Sequence, residues 1–154
     1  MDNLNVLIVG CGPAGSSTAQ SILEAREDVE VKILERRRRI GFPPRCAGGI
    51  SKMMTEKLSL DIPKDIIASH VERFRIYSPE GNYFEIDSKE MGVKDLGYVL
   101  YRDRFDRWMA EKAHKLGAEI EKGKIWKGNK GDYDILVVAD GKPEAERLGV
   151  KMRL

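Results

Sequence analysis

Alternating apolar runs and amphipathic stretches predict a strand, a helix and a second strand at the start of the chain. Residues 5–10 read NVLIVG, a short apolar run rich in β-branched residues that is typical of a strand buried on both faces. A helix is predicted over 15–26, where Ala19, Ile22 and Leu23 recur at helical spacing, and a strand over 29–34. Together they form a βαβ unit, which is parallel and right-handed by default.

The rest of the chain predicts a loop, a hairpin, a long helix and further strands. Residues 36–49 contain four consecutive arginines and are predicted to form a long loop, followed by a short helix over 51–60. Strands over 71–78 and 82–87 are joined by a Pro-Gly turn, and an apolar-aromatic run covers 98–101. A helix is predicted over 103–116, with strands over 118–121 and 134–139. The apolar face of the 103–116 helix is formed by Phe105, Trp108, Met109, Ala113 and Leu116.

A glycine pattern connects the first strand to the first helix. Residues 10–15 read GCGPAG, which is G-x-G-x-x-G in the context that makes this pattern informative. There Gly10 permits a tight turn, Gly12 lets a pyrophosphate approach the backbone, and Gly15 lets helix and strand pack closely. The helix N-terminus, with Pro13 and Ala14 in its first turn, presents N–H groups and a positive dipole end to phosphates. These five residues are predicted to bind a dinucleotide.

An acidic residue, Glu35, closes the second predicted strand. A carboxylate at this position accepts hydrogen bonds from the two ribose hydroxyls of an adenosine, and it would repel the 2′-phosphate of NADP. The alternative is an ordinary strand-to-helix turn with Glu35 as a surface charge. The order of strand, glycines, helix, strand and acid favours the dinucleotide site.

These features predict an α/β fold, a Rossmann-like FAD/NAD(P)-binding domain with a parallel sheet and a small antiparallel β-hairpin addition. The expected strand order places the 118–121 strand beside the 29–34 strand, then the 5–10 strand, then the 134–139 strand. Residues 1–154 are predicted to be a single domain, in which 70–101 form the beginning of a substrate-domain hairpin.

Composition limits the classes of function. With 27 basic and 25 acidic residues the net charge is only +2, which argues against a general nucleic-acid binder. No apolar stretch approaches the roughly 18 residues that span a bilayer. Two cysteines, of which Cys11 between two glycines is predicted to be structural, are too few for a disulfide framework, so a cytoplasmic setting is expected. His70 and His114 lie far apart and predict no metal site.

Several segments resemble one family of flavoproteins. VLIVGCGPAG and ILERR resemble the N-terminus of FAD-dependent enzymes of the glutathione-reductase type, and residues 36–51 (RRRRIGFPPRCAGGIS) resemble a segment of geranylgeranyl reductases. Residues 101–106 (YRDRFD), 117–119 (GAE) and 138–141 (VADG) are similar to further motifs of that family. The resemblance covers nearly all of this chain but well under half of a complete enzyme.

The resemblance implies an FAD cofactor and a reaction. Members of the family transfer hydride from reduced flavin to the C=C bonds of isoprenoid chains. Carried over by position, the glycine loop, Glu35 and Arg36 would hold the adenosine and pyrophosphate, and Arg102 would approach the pyrophosphate. The residues implied at the flavin end are Arg45, Cys46, Asp140 and Gly141. No acid–base pair or nucleophile stands out, so no catalytic residue is predicted.

Other interpretations stay open at this point. The chain could be a truncated, non-catalytic module that binds FAD or another adenine nucleotide and pairs with a second chain, or an NAD-binding domain, which Glu35 alone supports. The expected partners are an isoprenoid lipid, an unknown electron donor, and a second copy or chain that completes the flavin site. By itself the chain is expected to bind FAD weakly or not at all and to have no reductase turnover. The arginines of 36–39 are either a solvated charge run or a patch for anionic lipid or nucleic acid, and peripheral membrane association is open.

Overall fold

A computed structural model of the chain describes residues 3–128 and 131–141, which divide into two compact units. The first unit contains the described residues of 1–43 and 106–154, and the second contains 44–105. The strands are β1 (Leu4–Val9), β2 (Val29–Glu35), β3 (Gly49–Ser51), β4 (Ile67–Val71), β5 (Arg73–Tyr77), β6 (Tyr83–Asp87), β7 (Gly97–Leu100), β8 (Glu119–Lys122) and β9 (Ile135–Val138). The helices are α1 (Pro13–Ala25), α2 (Lys52–Lys57) and α3 (Arg102–Lys115), with a 3-10 helix over Lys64–Ile66.

The first unit is built on a four-stranded parallel sheet in the order β8-β2-β1-β9. This is the predicted strand order, and the predicted fold class is confirmed with it. The register runs from Leu4 opposite Val29 to Val9 opposite Leu34. The pairing places the C-terminal ends of β1, β2 and β9 at one edge, where ligands bind in sheets of this kind.

The core of the first unit lies between the sheet and the two long helices. A hydrogen bond of 2.8 Å from the Gln20 side-chain amide to the Met109 carbonyl joins α1 to α3. The buried residues of this core include Val6, Ile8, Ala19, Val29, Val31, Ile33, Ala110 and Ala113. The prediction that Leu116 belongs to the buried face is wrong, because α3 ends at Lys115 and Leu116 is 40% exposed.

The second unit contains two small antiparallel sheets, β3-β7-β4 and β5-β6. The predicted hairpin is confirmed: in its turn Gly81 N–H donates to the Ser78 carbonyl at 3.0 Å, and Ser78 N–H donates to the Asn82 carbonyl at 2.7 Å. Ser51 caps α2 by accepting the Met54 N–H at 3.2 Å. Strands β3 and β4 were not predicted, because each gains its extended form by pairing with β7.

None of the helices in the described part of the chain combines the length and the apolar character that crossing a bilayer requires.

Candidate dinucleotide-binding site

Two glycines of the G-x-G-x-x-G pattern are required by the fold itself. Gly10 has a φ of +104°, and a Cβ there would lie 2.4 Å from the carbonyl oxygen of Ala139. A Cβ on Gly15 would lie 1.9 Å from the carbonyl oxygen of Gly10. Both positions therefore exclude any side chain, as the sequence pattern predicts for a tight turn and a close helix–strand contact.

Gly12, the middle glycine, is different. It is the N-cap residue of α1 with an ordinary φ of −82°, and apart from its two chain neighbours no described atom lies within 4 Å of a Cβ built on it. No side chain among the described residues caps the helix there, and its first turn carries Pro13 but no acidic residue. The fold does not require a glycine at this position, whereas an anion that approaches the first-turn N–H groups would. The residues present therefore fit a pyrophosphate.

Glu35 lies at the end of β2, directly beside the glycine loop. Its carboxylate is largely buried and accepts two backbone N–H groups, Cys11 N–H on Oε2 and Arg37 N–H on Oε1, both at 2.9 Å. The Gly10 N–H donates to the Leu34 carbonyl at 2.8 Å. Glu35 thus ties the glycine loop to the second strand, a role that sequence reasoning missed. The proposed contact with a ribose stays a prediction.

Replacing Glu35 is expected to affect both stability and nucleotide selectivity. Glu35→Ala should lower the free energy of unfolding by about 1–3 kcal/mol, since a largely buried carboxylate and its two backbone partners lose their hydrogen bonds. It should also weaken adenosine binding and reduce the preference for FAD and NAD over NADP. Urea unfolding and calorimetric titration with the three nucleotides measure these effects.

Glu30→Ala is the matched control, because Glu30 is exposed on the same strand and its described hydrogen bond joins only the exposed side chain of Asn3. It should leave both quantities nearly unchanged. Preference of the parent protein for NADP would contradict the role given to Glu35.

Cys11 is a packing residue, as predicted. Its side chain is fully buried, its Sγ lies 3.7 Å from Ser16 Oγ, and burial raises the pKa of its thiol to about 11. The thiol is therefore protonated at neutral pH and is not a nucleophile.

The loop after β9 lies beside the glycine loop within the first unit. Ala139 N–H donates to the Val9 carbonyl at 2.8 Å, which brings Asp140 and Gly141 to the glycine loop. Asp140 Cα would lie 2.8 Å from a Cβ on Gly10. The structure thus brings together the glycine loop, Glu35 and Asp140. The partly buried Arg36 directly follows Glu35 in the chain.

The remaining predicted residues belong to the second unit. Arg45 and Cys46 are exposed in the loop before β3, and Cys46 Sγ accepts the Gly48 N–H at 3.4 Å. Gly48 has a φ of +83°, and a Cβ there would lie 2.4 Å from the Leu100 carbonyl oxygen and 3.2 Å from Arg102 Cγ. The loop with Cys46 therefore lies against the start of α3, where Arg102 is located.

A histidine–carboxylate pair in the second unit was not predicted. His70 Nδ1 lies 3.1 Å from Asp95 Oδ2, and the His70 ring meets the Tyr98 ring edge-on with centroids 5.2 Å apart. The Asp95 side chain is 6% exposed and that of His70 is 53% exposed. No sequence signal could have joined the two residues, because the pair depends on the pairing of β4 with β7.

Comparison with known proteins finds relatives whose N-terminal part the chain matches. No model of a known protein family matches it. The chain is 40% identical over 119 residues to digeranylgeranylglycerophospholipid reductase of Methanosarcina acetivorans, a match that covers 77% of this chain and 28% of the relative. It is 41% identical over 117 residues to digeranylgeranylglycerophospholipid reductase 2 of Methanopyrus kandleri, covering 76% of this chain and 27% of the relative.

Comparison with solved structures finds similar folds. A geranylgeranyl bacteriochlorophyll reductase-like protein from Thermoplasma acidophilum superposes with a TM-score of 0.77 at 30% identity, over 92% of this chain and 40% of that one. The flavin-dependent brominase Bmp2, at 21% identity and a TM-score of 0.64 over 96% of this chain and 41% of its own, shares the fold. The chain thus spans less than a third of the length of the curated relatives it matches.

Proposed function

We propose that this chain, which is related to the N-terminal portion of the geranylgeranyl reductase family, binds FAD as part of a flavoenzyme that reduces isoprenoid C=C bonds. The observation that carries the proposal is the open position at Gly12. It lies at the uncapped N-terminus of α1, between two glycines that packing explains and beside the carboxylate of Glu35.

The first unit would hold the ADP part of the cofactor. First-turn N–H groups of α1 would donate to the pyrophosphate. Each Glu35 oxygen accepts one backbone N–H and, as a carboxylate oxygen, retains a second lone pair for a ribose hydroxyl. Arg36 and Arg102 would supply guanidinium groups, whose paired donors suit phosphate oxygens.

The flavin itself would supply the hydride chemistry when bound. The chain's own residues near that end would be Arg45, Cys46, Asp140 and Gly141. The names of the relatives support an isoprenoid glycerophospholipid as the substrate class. Because that substrate is a lipid, the enzyme would work at the periphery of a membrane on its cytoplasmic side. A second copy or a second chain would complete the flavin site.

The binding step can be tested with nucleotides that contain different parts of FAD. Calorimetric titration of the chain with FAD, ADP and FMN is expected to show weak binding of FAD, displacement of FAD by ADP, and no displacement by FMN. NAD should bind less tightly than FAD. Tighter binding of NAD than of FAD would support the NAD-binding alternative, and absence of ADP binding would overturn the proposed site.

A further inference from the structure

Two basic segments lie side by side at the C-terminal edge of the parallel sheet. The first segment follows β2, and the second begins at the last residue of β8. Their cations are Arg37, Arg38 and Arg39 in the first and Lys122, Lys124 and Lys127 in the second. Glu35 is paired with Lys122 in the sheet register. Beyond it, Lys124 N–H donates to the Glu35 carbonyl at 2.9 Å, and Gly123 N–H donates to the Arg37 carbonyl at 3.2 Å. Backbone hydrogen bonds therefore fix the two segments next to each other.

Nearby carboxylates balance only part of the charge of these segments: Glu121 interacts electrostatically with Lys124 but forms its ion pair with Lys32. Glu119 and Glu121 of β8 both pair with Lys32, at 3.2 and 3.0 Å, and the Glu35 carboxylate accepts two backbone N–H groups. Within residues 3–128 and 131–141, no ion pair is formed by Arg37 and Arg38 of the first segment, nor by the three lysines of the second. Arg37, Arg38 and the three lysines therefore remain available to an anionic partner.

Exposed apolar side chains lie within the same two segments. Ile125, which directly follows Lys124, is 69% exposed. Phe42, shortly after the arginine run, is 48% exposed, and the Arg39 guanidinium lies 4.6 Å from the centre of its ring. We call these cations together with Phe42 and Ile125 the basic-apolar surface.

We propose that the basic-apolar surface docks the protein on a bilayer of anionic phospholipids. This inference rests on the proposed function, since it names the surface through which an enzyme of membrane lipids would reach them. Clustered Lys and Arg are attracted to anionic headgroups, and neighbouring apolar side chains enter the interface between headgroups and acyl chains. Nucleic-acid phosphates would use the cations but not Ile125, and the net charge of +2 is small for such a partner.

The test is co-sedimentation of the full chain with vesicles of phosphatidylglycerol mixed into phosphatidylcholine, and with phosphatidylcholine alone. The parent protein is expected to bind only the anionic vesicles, and less at high salt. Arg38→Gln with Lys124→Gln should lower the partition coefficient about 25-fold, at about five-fold for each cation near an anionic surface. Ile125→Ser should also lower it, although no charge changes.

The matched control removes two cations from the second unit, Lys57→Gln with Lys64→Gln, both exposed. It should leave vesicle binding unchanged, and thermal unfolding should show that every variant is folded. Equal loss in the control, or no binding of the parent to anionic vesicles, would overturn the proposal. The proposal would also be overturned if the parent bound a single-stranded RNA more tightly than anionic vesicles and Ile125→Ser left that RNA affinity unchanged.

ADP titration of the same proteins separates this inference from the proposed function. The surface variants should bind ADP as the parent does, because Arg36 and the glycine loop are intact. If the parent binds anionic vesicles but not ADP, the docking surface stands and the proposed cofactor site is wrong. If it binds ADP but not vesicles, the reverse holds.

Discussion

Gly12→Val is expected to abolish binding of FAD and ADP while leaving the protein folded. Apart from the two chain neighbours, no described atom lies within 4 Å of a Cβ at this position, so a side chain can begin there without a backbone clash. The valine would fill the space through which the proposed pyrophosphate would reach the first turn of α1. The loss should be at least about 100-fold in affinity, because charge-assisted hydrogen bonds to phosphate contribute about 1.5–3 kcal/mol each. Calorimetry with FAD and ADP measures it.

Ser21→Val is the control for the effect of a β-branched residue in a helix, since Ser21 is exposed on α1, two turns after the glycine loop. Its affinity for ADP should equal that of the parent, and both variants should unfold at nearly the parent's temperature. Unchanged ADP affinity in Gly12→Val would show that the pyrophosphate does not bind at the glycine loop.

The first unit could be predicted because its signals are local. NVLIVG, the glycine pattern and VEVKIL each specify an element within a few residues, and the handedness of a βαβ unit leaves few topologies. The order β8-β2-β1-β9 followed from these constraints and is confirmed. The start of α1 was placed two residues late, because Pro13 is the first helical residue and the pattern of apolar positions begins only after it.

The second unit was harder to predict because long-range pairing forms it. β3 is three residues long, and β4 is mostly exposed, so neither carries an apolar alternation that would identify it. Both depend on pairing with β7, which lies much further along the chain. Even the nearest partners in β4 and β7, Val71 and Gly97, are 26 residues apart. The same dependence concealed the pair of His70 with Asp95.

The role of Glu35 shows how far a motif can be read. The pattern predicted a carboxylate at the end of β2 beside the glycine loop, and the structure places it there. The pattern did not predict that both carboxylate oxygens already hold the backbone N–H groups of Cys11 and Arg37. Those contacts involve loop geometry that apolar periodicity does not encode.

Gly15→Ala is expected to destabilise the first unit by about 3 kcal/mol, toward the upper end of what overpacking costs. Inside an α-helix the same change usually stabilises by about 0.5–1 kcal/mol. Here the new Cβ would lie 1.9 Å from the Gly10 carbonyl oxygen and 3.2 Å from Ile8 Cγ2. The Gly10 carbonyl cannot retreat easily, because the Cys11 N–H of the same peptide group donates to Glu35 Oε2 at 2.9 Å. The clash therefore outweighs the gain in helix propensity.

Gly12→Ala, three residues earlier, is the matched control for this effect. The substitution is the same, but its Cβ has no described atom within 4 Å beyond its chain neighbours and its φ is −82°, so the free energy of unfolding should change by less than about 0.5 kcal/mol. Urea unfolding, followed by far-UV circular dichroism, compares the two. If Gly15→Ala were as stable as the parent, the loop and α1 would have to be further apart than the structure places them. That result would contradict the close contact between Gly15 and the Gly10 carbonyl.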